Sequence, residues 1–272
     1  MPKRTLAKET RTAKEVGYMF NRNKTRTITW ARSEHGEYDV SNPLKPAIKF
    51  LPEWYRKARN TVDNSKQHYT YEGKLYPFPA EIDPKTQTGA TFKRCVPTLD
   101  ALTFGYMLST TDDIYFNESS GMFDETPQVQ QHTHTPYEFE GYPLPTDTHE
   151  RVFKWNSFLY ITVPDGYTVL YTHPLHRYDL PFQTLPAVID LDKHPLEINI
   201  PFVMKKGFSG LIPKNTPVAQ LIPIKREPWK AEEKPFRETT QKIISEFFDF
   251  NERGEPTTGV YKRKVRSKKD FN

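Results

Sequence analysis

Between Lys154 and Trp229 the chain is a relay of short β-prone runs broken by proline and glycine, and this pattern restricts the fold more than any other feature. Phe158 to Val163 is apolar and β-branched and stops at Pro164-Asp165-Gly166. Val169 to Thr172, Ala187 to Leu191, Ile198 to Met204, Leu211-Ile212 and Val218 to Ile224 follow. Strand side chains alternate between two faces, and runs this short with turn residues between them predict a series of β-strands. The class they indicate is mainly β, a sandwich or closed roll such as a jelly roll. Alternation within the runs assigns Phe158, Tyr160, Ile189, Ile198, Ile200, Val218 and Leu221 to the core.

Composition agrees with this class. The 24 prolines are scattered over 272 residues and work against long helices. The hydrophobic share is 36% and the aromatic share 14%, so Phe and Tyr must supply much of the buried area. No stretch approaches the ~20 apolar residues of a membrane span. The opening MPKRTLAKETRT lacks the apolar run of a secretory signal. A lone cysteine, Cys95, excludes an internal disulfide and is expected to sit buried as a small hydrophobe. The net charge of +5 is uneven: residues 1–30 carry +6 and residues 258–272 carry +5, leaving about −6 for the body. Basic ends on an acidic body predict arms that reach neighbouring subunits or a phosphate backbone.

The chain divides into four stretches. Residues 1–46 are an extended basic arm in which KTRTITWA (24–31) alternates like a strand. Residues 47–91 are a connector. In it LPEWYRKARNTV reads as a short helix with Leu51, Trp54, Tyr55 and Ala58 on one face, and YTYEGKLYPF reads as a hairpin. Residues 92–229 are the β-domain; Tyr106 to Leu108 and Ile114 to Phe116 are strand centres, and residues 117–150 are a long polar connection. Residues 230–272 comprise a helix at 239–250, with Ile243, Ile244, Phe247 and Phe248 on one stripe, and the basic tail GVYKRKVRSKKDFN. Residues 1–46 and 258–272 are expected to make few contacts with the β-body, being too polar to bury much apolar area.

Four runs in order carry a resemblance. They are LDALTFGYMLSTTDDIYF (99–116), Val163-Pro164-Asp165-Gly166-Tyr167, Val188-Ile189-Asp190-Leu191-Asp192, and Asn215-Thr216-Pro217-Val218-Ala219-Gln220-Leu221. Together they resemble the dUTPase and dCTP-deaminase superfamily, whose fold is a β-clip. The resemblance implies a water-activating carboxylate at Asp190 and a residual nucleotide site at Asp190, Asp192 and Gln220. The chain departs from that family where function is concerned. Thr172-His173-Pro174-Leu175-His176 stands in place of the Arg-Ser-Ser phosphate motif, Lys193 stands in place of the base-stacking Tyr, and the basic tail replaces the Gly-rich arm. Without the family pattern, Asp190 and Asp192 read as an Asp pair that ends a strand and caps a turn.

Arg94-Cys95-Val96-Pro97, DALTFGY (100–106), KWNSFLYITVPDGY (154–167) and PFVMKKGFSGLIPKNTPVAQLIPIKRE (201–227) resemble uncharacterised bacteriophage proteins. This implies a virion or host-cytoplasm setting and carries no catalytic role. A third pattern, His132-Thr133-His134-Thr135-Pro136-Tyr137-Glu138, is similar to the first metal motif of cupins and makes His132, His134 and Glu138 candidate ligands. The matching second half lacks its histidine, because Val169 occupies that place.

The function these features predict is a non-enzymatic phage-type structural or assembly protein built on a catalytically eroded dUTPase-like β-domain. It needs no cofactor and no membrane. Its expected partners are virion or self subunits, held through the basic termini, and non-specific nucleic acid. Lys262, Arg263, Lys264, Arg266, Lys268 and Lys269 are the tail residues that would contact a polyanion or partner. The competing classes are a metal-dependent cupin-like enzyme and a nucleotide-binding or nucleotide-hydrolysing phage protein.

Overall fold

A computed structural model describes residues 25–32, 43–63, 68–72, 74–77, 88–132, 134, 136–194, 197–235 and 266–272. Its strands in chain order are β1 (Thr29–Arg32), β2 (Leu44–Pro46), β3 (Thr61–Asp63), β4 (His68–Tyr71), β5 (Lys74–Pro77), β6 (Thr88–Ala90), β7 (Tyr106–Ser109), β8 (Ile114–Asn117), β9 (Met122–Phe123), β10 (Val129–Gln130), β11 (Thr148–Asn156), β12 (Leu159–Thr162), β13 (Tyr167–Thr172), β14 (Phe182–Thr184), β15 (Ala187–Ile189), β16 (Asn199–Lys205), β17 (Gly210–Ile212) and β18 (Pro217–Lys225). Two short α-helices, Glu53–Lys57 and Val96–Thr103, complete the described regular structure along with three 3-10 turns. Among the described residues no helix is long and apolar enough to cross a membrane.

Every described strand pair is antiparallel. A five-stranded sheet runs β15-β13-β18-β7-β2, and a four-stranded sheet runs β10-β11-β16-β14. One apolar core draws on both. Leu108, Val169, Tyr171, Val218 and Leu221 come from the first; Phe153, Trp155, Phe182, Ile200 and Phe202 come from the second. Trp155 stacks on Phe202 with ring centroids 3.8 Å apart and planes 9° off parallel, and Phe182 meets both edge-on. Aromatics therefore do carry the burial, and truncating one of these rings to alanine costs about 3–5 kcal/mol. The described chain is mainly β with several antiparallel sheets, and its mainly-β class is the one the strand pattern indicates.

The strand expectations map closely onto β7, β8, β12, β13 and β15 to β18, and the hairpin onto β4 and β5. Ile198, Ile200, Val218 and Leu221 are buried as expected. Phe158, Tyr160 and Ile189 are only half-buried. Phe158 falls in the turn between β11 and β12 with φ +52°, and Tyr160 pairs with Ala31 on the strand that covers β12.

Other features depart from the sequence reading. Residues 96–103 are helical: Pro97 occupies the first turn, and Val96, Asp100 and Leu102 turn inward. The 117–150 connection is not a free loop. It contains β9, β10 and a 3-10 turn at Pro136–Phe139, and Phe139 and Leu144 pack on Val152, Leu185 and Val203 over the outer face of the four-stranded sheet. Cys95 is exposed rather than buried.

Where the ends are described, at residues 25–32, 43–46 and 266–272, they contradict the expectation of few contacts. β1 pairs with β12 over four residues, and β2 is an edge strand of the five-stranded sheet. At the other end Phe271 lies 4.9 Å from the Phe104 ring and 5.8 Å from the Tyr106 ring. Backbone pairing and one aromatic anchor suffice to dock segments whose average composition is polar. The helix expected at 239–250 lies outside the described residues.

Candidate functional site

The carboxylates singled out by sequence follow β15, where the chain turns. The Asp190 carbonyl accepts from the backbone N–H groups of Lys193 (2.9 Å) and His194 (3.0 Å) and closes the turn. Arg226, one residue past β18, faces that turn because Tyr167 at the start of β13 pairs with Lys225. Its Nη1 donates to Asp190 Oδ1 and Asp192 Oδ1, each at 3.0 Å, and to the Tyr167 carbonyl at 2.7 Å. Its Nη2 donates to Asp192 Oδ2, which also accepts from the Gly166 N–H at 3.0 Å. Only 2% of the Asp192 side chain is accessible. The Arg226 bond, with the Gly166 N–H adding to it, holds the Asp192 carboxyl at about 2. A carboxylate held that acidic by a bidentate guanidinium is a poor proton acceptor at neutral pH. What the arrangement does is clamp the β15 turn to the ends of β13 and β18.

Gln220 lies elsewhere. It pairs with Thr172, six residues from Arg226 along the chain, a separation of roughly 20 Å in extended strand. Its side chain is fully buried. Oε1 accepts from Leu175 N–H at 2.8 Å, and Nε2 donates to the carbonyls of Ala101 (2.9 Å) and Phe104 (2.6 Å). The side-chain amide thus stitches the Val96–Thr103 helix and the 173–176 loop onto β18. The fold does not bring Asp190, Asp192 and Gln220 together as a nucleotide site, since strand register separates them and each is committed to structural bonds.

The segment standing in place of the phosphate motif is also structural. His173 is buried; its Nε2 bonds the Arg177 carbonyl at 3.0 Å and its Nδ1 accepts from Thr184 N–H at 3.3 Å. Burial pushes its pKa down, which favours the neutral ring these two bonds require. Lys193 is exposed.

In the histidine motif, His134 Nδ1 and Glu138 Oε2 are hydrogen-bonded, and the His134 ring meets Phe139 edge-on at 5.0 Å. His132 is exposed, and Val169 is in the core. Among the described residues no three His, Cys, Asp or Glu side chains come together as a metal-binding group. The 3-10 turn at Pro136–Phe139 breaks the strand that would have aimed His132, His134 and Glu138 to one side.

The tail residues do not all face outward. Arg266 donates through Nε and Nη2 to Asp100, and Lys269 Nζ donates to the same carboxylate at 3.0 Å. Lys268 pairs with Asp270 at 2.8 Å. Tyr106 OH donates to the Asn272 carbonyl at 3.4 Å. The Arg266 bond is the main cause holding the Asp100 carboxyl below its usual range. Lys262, Arg263 and Lys264 lie outside the described residues. Sequence reading missed Arg226 and Asp100, the partners that decide these roles. The signals available were an Arg straight after the last strand and an acid on the inner face of an apolar helix.

No protein-family model matches the chain, and no curated protein matches it. Among solved structures it is similar to a mutant dUTPase from phage phi11 of S. aureus, described for its coordination of a structural Mg(II) ion. The match has 12% identity and a TM-score of 0.27, and it covers 50% of this chain and 84% of that one. At that TM-score the likeness carries no argument about the site.

Proposed function

We propose that the chain is a non-enzymatic structural or assembly protein of the phage type, an interaction module on a catalytically eroded dUTPase-like β-domain. The observation that carries this reading is the Arg226 clamp. The carboxylates placed to activate water are instead bonded to a guanidinium and a backbone N–H. Exposed apolar side chains on the five-stranded sheet and just past the end of β18 support association. Trp229 is 89% exposed beside Ile224 in an open groove, and Val188 is exposed on the edge strand β15. Of the tail cations, Lys262, Arg263 and Lys264 are those we assign to a polyanion or partner.

Two measurements test this. Light scattering across a concentration series should show self-association that Trp229→Ala with Ile224→Asp weakens; a monomer at all concentrations counts against assembly. Incubation with dUTP or dCTP should release no pyrophosphate. Release that is lost in Asp190→Asn overturns the non-enzymatic reading, as does about one metal per chain lost in His134→Ala.

A further inference from the structure

The cationic run KRKVRSKK (262–269) offers charge for nucleic acid but no interleaved aromatic side chains to stack on bases. The folded body supplies such rings elsewhere. The Glu53–Lys57 helix and the 3-10 turn Phe92–Arg94 lie side by side. Lys93 Nζ donates to the carbonyls of Arg56 (2.6 Å) and Ala58 (2.8 Å), and Tyr55 OH donates to the Lys93 carbonyl at 3.2 Å. This seam sets Trp54 and Phe92 together with ring centroids 6.0 Å apart. Across an open groove of about 380 Å³ the loop between β13 and β14 presents His176 and Tyr178, with centroids 6.3 Å apart and planes at 85°. A hydrogen bond of 3.3 Å from Trp54 Nε1 to Asp179 Oδ1 ties the two walls.

Three of these rings face solvent: Trp54 is 36%, Phe92 50% and Tyr178 75% exposed. The acid in the groove is already neutralised, since Arg177 donates to Asp179 through Nε (2.9 Å) and Nη2 (3.0 Å). The surrounding chain is basic. Residues 47–60 and 91–95 carry six Lys and Arg against one Glu, on a body that is otherwise net acidic. Open aromatic faces beside cations are what single-stranded nucleic acid requires: bases stack on the rings, and phosphates meet the positive charge. A duplex keeps its base faces hidden and fits such a groove poorly.

We propose that this groove binds single-stranded nucleic acid, with Trp54, Phe92 and Tyr178 as stacking platforms and Arg94 as a phosphate contact. The inference depends neither on the carboxylate clamp nor on the tail.

Fluorescence anisotropy of the full chain with labelled oligo(dT), oligo(U) and a duplex of equal length tests it. Both single strands should outbind the duplex, and the two arms separate DNA from RNA preference. Phe92→Ala and Tyr178→Ala, both at exposed positions, should each weaken binding by about 5- to 150-fold. Arg94→Gln should weaken it and lower the salt slope by about one. Replacing Lys262, Arg263 and Lys264 by Gln should change the salt slope while leaving the Tyr178→Ala effect in place. Quenching of Trp54 emission on binding should vanish in Trp54→Phe. Duplex binding as tight as single strands, no binding at low salt, or unchanged affinity in both Phe92→Ala and Tyr178→Ala overturns the proposal.

Discussion

Replacing Gln220 by leucine separates a structural amide from a remnant of a nucleotide site. The side chain has no accessible surface and makes three bonds: one from Leu175 N–H and two to the carbonyls of Ala101 and Phe104. Leucine keeps the volume nearly constant, so the packing change is small. What is lost is one acceptor and two donors, which leaves a backbone N–H and two carbonyls without their partner. A net hydrogen bond is worth about 1 kcal/mol, and a buried group left unsatisfied costs about 1–3 kcal/mol. The expected loss is therefore about 3–5 kcal/mol. At about 2–4 °C per kcal/mol for a domain of this size, Tm should fall on the order of 10 °C. Thermal and urea melts of the full chain measure it. A fall below about 3 °C would refute the stitch, because it would mean that those backbone groups have other partners. Intact stability with loss of a dUTP-induced thermal shift would restore Gln220 to a ligand site.

Three further outcomes follow from the same structure. Gly105→Ala should destabilise by about 3 kcal/mol or more, or prevent folding, because a Cβ there would lie 2.2 Å from the Leu221 carbonyl oxygen at φ +75°; expression level and Tm report it. The Asp192 pKa is depressed in the folded state, so its contribution is complete above the ordinary carboxylate range and is lost as pH falls from there toward about 2. Urea midpoints should drop across that window, and Asp192→Asn should flatten the drop. Ending the chain at residue 265 should lower stability by about 2 kcal/mol, read as a Tm shift, because Asp100 loses Arg266 and Lys269 and Phe104 loses Phe271; an unchanged Tm would show that the docked tail contributes nothing.

The β-domain was legible because its signals are local. Proline and glycine punctuate runs whose alternation shows a buried face, and β16 and β18 fell within a residue or two of their expected ends. The Val96–Thr103 helix was missed because Val, Thr and Phe around it weigh toward strand, although Val96 and Asp100 stand four apart on its inner face. The docked ends were missed for a different reason. Composition averages over a segment, whereas docking needs only the four register pairs of β1 or the single ring of Phe271. The aromatic groove was legible only in part. Trp54 and Phe92 are 38 residues apart in sequence, and the Lys93 bonds that join their elements are side chain to backbone and leave no pattern.

At the candidate site, place in a strand and chemical role are separate matters. Asp190 directly follows one strand and Gln220 lies inside another, yet neither position determines a role. A carboxylate becomes a base when its surroundings raise its proton affinity, and it becomes a structural anchor when a cation and an N–H lower it. For Asp192 the deciding group is Arg226, 34 residues further on and brought back only by the β13–β18 register. The same holds for Asp100, whose partner Arg266 is 166 residues away. In both places the acid is visible in the sequence and the cation that claims it is visible only in the fold. Substituting the cation is therefore the sharper test of each role. Arg226→Gln should free Asp190 and Asp192, raise the Asp192 pKa from its depressed value and loosen the turn after β15, without creating a cradle for phosphates.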